Sequence, residues 1–248
     1  PAEAYGGWKQ ARIPLALERT ALVVMHAWDT GRQDEYPGWY RAVEYIPRAQ
    51  EIARTVFPTL LAAVRRSPMK LFHVVGGGSY FEDYPGYRKV AMLADPAWGP
   101  LPEVDVDPVL EELRQFRREH VFVGKHNEAD VRRGFQNLDF MPEARPVGDE
   151  GIAANGRQLF ALCHEAGVNH LVYVGFAINW CLLLSPGGMA DMQKYGFLCS
   201  TIRQAVTAVE NKETARQELC KQLALWRVAL AFGFVFELRD FLGALSPP

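Results

Sequence analysis

The stretch that decides the fold is "LVYVGFAINWCLLLSPGGM", residues 171–189. It starts as a near-continuous apolar run of the kind a buried parallel strand shows. Gly175 interrupts it, and the pattern resumes helically around one cysteine, Cys181. A strand handing over to a helix through a glycine turn is the unit of an α/β protein. In open parallel sheets, reactive groups gather at the carboxyl ends of the strands.

Working outward, the same unit recurs. "TALVVMHAW" (20–28) predicts a first buried strand ending at Asp29, and "MKLFHVV" (69–75) a second. "HVFVG" (120–124) predicts a third, leading into Lys125, and "NHLVYVG" (169–175) is the fourth. "FLCSTI" (197–202) and "FGFVFEL" (232–238) complete the set. Helical patterns separate them. These are residues 47–67 with a kink at Pro58, 107–119 with Asp107 as cap and Pro108 at the first position, 129–138, 151–167, 179–195 and 212–231. Residues 79–106, rich in Pro, Gly and aromatics, form the longest irregular segment, of the kind that often shapes a site. The alternation predicts a single-domain α/β fold: a six-stranded parallel sheet with helices on both faces, a Rossmann-like three-layer arrangement over residues 20–248. Residues 1–19 read as an N-terminal extension, with Trp8 placed to pack on a neighbouring subunit.

Composition narrows the function. The 248 residues are 49% hydrophobic and 23% charged, with a formal charge of -2 and no basic face, so nucleic acid is not an expected partner. The longest apolar run is broken at Gly175 and Asn179, short of the roughly 20 residues a membrane helix needs. The opening "PAEAYGGWKQARIP" lacks the order of a signal peptide and an initiator Met, which reads as a trimmed, cytoplasmic chain. The four cysteines, Cys163, Cys181, Cys199 and Cys220, have neither CxxC nor zinc spacing, so reduced thiols are expected. Gly76-Gly77-Gly78 does not continue as a dinucleotide fingerprint, because Phe81 stands where the last glycine is needed. Neither cofactor nor metal is expected.

Three reactive residues fall at expected strand ends: Asp29, Lys125 and Cys181. Each has an ordinary reading, as a turn residue, a solvated cation and a core thiol; their joint occurrence is harder to dismiss. A thiol attacks only as thiolate, and its free pKa is about 8.5. A nearby ammonium favours the thiolate, and a carboxylate can take the proton and later deliver it to a leaving amine.

With these residues in place, the chain resembles the isochorismatase-like cysteine hydrolases, which include nicotinamidases and N-carbamoylsarcosine amidohydrolase. The matching pieces are "ALVVMHAWD", "VFVGKHNEADVRRGF", "LVYVGFAINWC" and "CSTIRQAVTAVE", within a span of about residues 19–243. The resemblance implies a triad of Asp29, Lys125 and Cys181, and a cis peptide at Phe176–Ala177. It also implies an oxyanion hole from the Ala177 and Cys181 N–H groups, and a homo-oligomer. A small amide, carbamoyl or ureido compound is the expected substrate, cleaved at a C–N bond through a thioester. Trp28, Tyr80, His126 and Phe176 are candidate pocket residues. The chain also departs from the family pattern. Ile178 replaces a threonine, Ser185-Pro186-Gly187-Gly188 interrupts the helix after Cys181, and "FHVVGGGSYFEDYPGY" lacks the nicotinamidase metal motif. Vinyl-ether hydrolysis and a silent binding or scaffold role are the alternatives.

Overall fold

The computed structural model describes residues 15–93, 108–120 and 123–245. Strand β1 (Thr20–Met25) is buried along its whole length, and its alternate side chains feed two cores. Ala21, Val23 and Met25 point into one, Leu22 and Val24 into the other. This two-sided burial is why the segment reads as a continuous apolar run rather than an alternating one.

The chain continues through β2 (Trp28–Asp29), α1 (Pro37–Ala42), α2 (Ile46–Thr55), α3 (Phe57–Arg65), β3 (Lys70–Val74), α4 (Pro85–Leu93) and α5 (Pro108–His120). Next come α6 (Glu128–Gln136), β4 (Asp139–Phe140), β5 (Gly151–Ala153), α7 (Gly156–Ala166) and β6 (His170–Phe176). The last third holds α8 (Cys181–Leu184), α9 (Met189–Met192), β7 (Leu198–Thr207), α10 (Leu219–Ala231), β8 (Val235–Phe236) and α11 (Leu238–Leu245). Six strands form one parallel sheet in the order β5-β3-β1-β6-β7-β8. One face is covered by α4 and α7 to α10, the other by α2, α3 and α11. The three-layer α/β architecture is as the sequence predicts.

Local chemistry accounts for most boundaries. Pro58 falls in the first turn of α3, splitting the expected 47–67 helix at Val56. Asn155 caps α7 by accepting the Gln158 N–H at 3.0 Å, and Gly167 closes it in the left-handed region at φ 65°.

Several expectations need correcting. The segment 79–106, expected to be irregular, contains α4, and residues 151–153, expected to open a helix, form β5. The first strand stops at Met25, and Trp28–Asp29 forms a separate two-stranded antiparallel ribbon with β4. The third parallel strand is not 120–124. α5 runs through His120, Val121 and Phe122 lie outside the described residues, and β5 takes the sheet edge beside β3. The reason is a helix stop. Gly124, at φ 83°, donates its N–H to Arg118 O (3.2 Å), and Lys125 donates to Glu119 O (3.1 Å), so this segment caps α5. Trp8 and the Asp107 cap also lie outside the described residues.

Candidate active site

The site-bearing edge is built where β1 and β6 end side by side. Met25 pairs with Gly175, and a Cβ at residue 175 would stand 2.2 Å from Met25 O. Gly175 also holds φ 112°, which side-chain-bearing residues rarely adopt. The strand ends therefore approach as closely as backbone allows. Beyond them the Phe176–Ala177 peptide is cis. Ile178 N–H donates to Thr207 O (2.8 Å) and Leu182 N–H to Ala177 O (3.2 Å), folding Cys181 back over the strand end. Asn179 braces the turn through paired bonds with Val209, at 2.8 and 2.9 Å.

Cys181 is partly exposed and opens α8. Neither its N–H nor that of Ala177 finds a hydrogen-bond acceptor among the described residues. Trp180 and Leu184, on either side, are exposed. The Tyr45 phenol lies near enough to feel Cys181. Burial, with the Cys181 and Glu44 charges, pushes its pKa up. The Ser185–Gly188 break ends α8 after one turn and is itself well held. Tyr173 Oη donates to Gly187 O (2.8 Å), and Gly187 N–H donates to Asp191 Oδ2 (2.9 Å).

The other expected site residues scatter. Asp29 sits on β2, its Oδ1 accepting the Gly31 N–H at 3.0 Å. It lines a cavity of about 120 Å³ with Tyr36, Gly134 and Asp139, to which Cys181 does not contribute. Lys125 and His126 are exposed in the turn that caps α5. Among the described residues no ion pair joins Asp29 to Lys125. Phe176 is not a pocket residue. It is buried and stacks on Phe57 at 5.7 Å. Trp28 and Tyr80 do stay near the sheet edge, with the Tyr80 phenol raised by burial beside the Trp28 indole.

The sequence reading missed His26, the first residue after β1. Its N–H donates to Val74 O (3.0 Å), its ring stacks on Trp28 at 4.7 Å, and its Nδ1 is buried without a partner. Its φ of 49° is unusual for a side-chain-bearing residue. The signal was present, since His26 is the first polar residue after five apolar ones. Its near neighbour His73, in β3, is fully buried, with Nε2 3.3 Å from Glu150 Oε2. Among the described residues no cluster of three or more His, Cys, Asp or Glu could hold a metal ion, and no helix is long and apolar enough to cross a membrane.

No protein-family model and no curated protein matches the chain by sequence. Solved structures do match by shape. A cysteine hydrolase from Pseudomonas syringae pv. phaseolicola superposes with a TM-score of 0.54 at 13% identity, covering 97% of this chain and 98% of that one. An isochorismatase family protein from Burkholderia thailandensis gives 0.52 at 15% identity, with 94% and 99% covered. An isochorismatase-like hydrolase from Alkaliphilus metalliredigens gives 0.51 at 16% identity, with 92% and 98% covered. With near-complete mutual coverage and TM-scores above 0.5, this chain has the isochorismatase-like fold.

Proposed function

We propose that the protein is a cysteine hydrolase that cleaves a C–N bond of a small amide, carbamoyl or ureido compound, with Cys181 as nucleophile. The observation that carries this reading is the pair of N–H groups, Ala177 and Cys181, that find no acceptor among the described residues on the turn that presents the thiol. Unpaired backbone donors are costly unless something accepts from them, and the oxyanion of a tetrahedral intermediate is such an acceptor. Attack by the thiolate on the substrate carbonyl gives that intermediate. Collapse releases ammonia or an amine and leaves a thioester, which water hydrolyses.

The triad roles that the resemblance gives to Asp29 and Lys125 draw no support from their contacts. Asp29 faces another cavity and Lys125 is solvated. A helix of four residues supplies little dipole, so α8 alone does not activate the thiol. These facts favour one rival, a silent scaffold member of the fold, over vinyl-ether hydrolysis.

A panel of small amides, carbamates and ureas, assayed for amine release with mass spectrometry of the Cys181 peptide, tests the proposal. An acyl adduct on Cys181, and loss of turnover in Cys181→Ala, are expected. Turnover of isochorismate that survives Cys181→Ala would establish the vinyl-ether reading instead. A thiol inert to every substrate and to alkylation would leave the scaffold.

A further inference from the structure

We propose that His26 is the catalytic base of this site, taking the Cys181 proton as the thiol attacks and returning it to the leaving nitrogen. The proposal rests on Cys181 being the nucleophile and names the group that activates it.

Three observations converge on His26. The first is position. It is the residue immediately past β1, and Cys181 lies on the turn immediately past β6. The two strands are neighbours at the centre of the sheet, joined at Met25 and Gly175 with no side chain between. Neighbouring strands run about 4.8 Å apart, so the groups that follow their ends share one small region. Asp29, by contrast, has left the sheet for the β2–β4 ribbon.

The second is an unmet hydrogen bond. His26 Nδ1 is buried with no partner among the described residues. Buried polar atoms are nearly always paired, so an idle one at a sheet's ligand-binding edge points to a partner from outside the chain. Thr30 Oγ1, beside the Asp29 cavity, and His73 Nδ1, inside β3, are also buried without a partner among the described residues, so the idle His26 nitrogen counts only together with its place at the strand end.

The third is backbone strain. A histidine held at φ 49° is costly unless its surroundings enforce it, and such residues concentrate at functional sites. Here the enforcement is visible. The N–H is tied to Val74 O, the ring lies flat on Trp28, and Nε2 would sit 3.5 Å from a Cβ at Gly76, whose absence leaves it room.

The step balances without a further reactant. The thiol proton moves to an imidazole nitrogen as sulfur bonds the carbonyl carbon, and the C=O electron pair becomes the oxyanion. The C–N bond then breaks as the imidazolium gives the same proton to the departing nitrogen. Water repeats the sequence on the thioester, again through His26, and frees the thiol. Burial keeps the resting imidazole neutral, with its pKa lowered to about 4. It accepts a proton only from a group that turns negative beside it, as a thiolate does. The titratable groups around the pair are Tyr80 on the Trp28 side and Tyr45 with Glu44 on the Cys181 side. Both phenols are held protonated by burial.

The test needs no substrate: iodoacetamide labelling of Cys181 against Cys220 in the same molecule, wild type and His26→Asn, at two pH values. Asparagine tolerates the left-handed backbone but cannot accept the proton. Wild-type Cys181 should label faster than Cys220 at about pH 6.5, with His26→Asn slowing it about tenfold or more. At about pH 9.5, where the thiol ionises unaided, the two proteins should differ by less than about twofold. A merely structural role would slow both pH values equally, and that result overturns the proposal. So does a variant that labels like wild type at about pH 6.5. In that case a fast Cys181 leaves the nucleophile reading standing; a Cys181 no faster than Cys220 in the wild type removes both. If His26→Asn does not fold by circular dichroism, His26→Gln carries the same measurement.

Discussion

Two histidines on adjacent strands make an instructive contrast. His73 lies within β3, directly opposite Val24, while His26 stands just past the end of β1. Burial lowers the pKa of both. The Glu150 hydrogen bond and charge partly oppose the effect at His73. Glu150 in turn is held by Arg65 through bonds of 2.6 and 3.3 Å and by the Val147 N–H at 3.0 Å. The cluster ties β3 to α3 and to the loop before β5. Among the described residues His26 has no such carboxylate, and its ring stacks on Trp28. Both rings leave Nδ1 without a partner among the described residues; what separates them is that His73 gives its other nitrogen to a charge network inside a strand, while His26 stands at a strand end.

The most drastic way to break the contrast is Gly175→Ala. Its Cβ would collide with Met25 O and oppose φ 112°, prising apart the ends of β1 and β6 while leaving His73 in place. We expect a stability loss of about 3 kcal/mol, with Cys181 labelling lost among folded molecules, measured by denaturant melts and mass mapping. A melt within about 0.5 kcal/mol of wild type would mean that the close approach is not enforced.

Glu150→Ala should come next. It strands His73 and Arg65 and should cost about 2 kcal/mol, with Cys181 labelling unchanged. His26→Asn should do the reverse, shifting labelling with little change in stability, because asparagine suits the left-handed backbone.

Acid titration separates the two histidine environments by window. His26 has its folded pKa lowered from 6.5 to about 4, so its stability contribution is present above about 6.5 and lost as pH falls toward 4. His170, lowered to about 4 by burial, adds to the same window. At Glu150 burial alone would raise the carboxyl, but bonds from His73, Arg65 and Val147 outweigh it and hold the pKa at about 2. Its contribution is present above 4.5 and lost as pH falls toward 2. Melts against pH should therefore show His26→Asn flattening part of the upper fall, and Glu150→Gln the lower. Identical profiles for both variants would collapse the distinction. The smallest effect expected is from Trp28→Phe, which keeps a ring under His26 and removes only the indole N–H beside Tyr80. It should move stability by less than about 0.5 kcal/mol.

Most of the sheet was legible because buried strands announce themselves by composition: 20–25, 70–74 and 170–176 are runs no other element explains as well. The misses have separate physical causes. β5 is three residues long, too short for any periodicity, and its neighbours read as the start of α7. "HVFVG" has strand composition, but α5 extends to His120, Gly124 caps that helix, and Val121 and Phe122 lie outside the described residues. The error propagated, because it placed Lys125 at a strand end that is elsewhere. Cys181 and its turn were legible because glycine, turn and thiol fall within seven residues of one chain. His26 was passed over because "TALVVMHAW" continues apolar beyond it. The polar residue itself was the one mark in the sequence, and the φ of 49° shows that the strand has already stopped there.

The bond from Tyr173 to the Gly187 carbonyl closes a ring in the chain. The segment leaves β6, carries Cys181 through a single helical turn, and returns to be fastened to the strand it left. A connection pinned at both ends loses far less entropy when it meets a ligand than a free loop does, because most of that freedom was surrendered on folding. The thiol thus sits on a tether whose length was fixed before any substrate arrives, and its amides should exchange with solvent at the pace of the central sheet rather than of a surface loop.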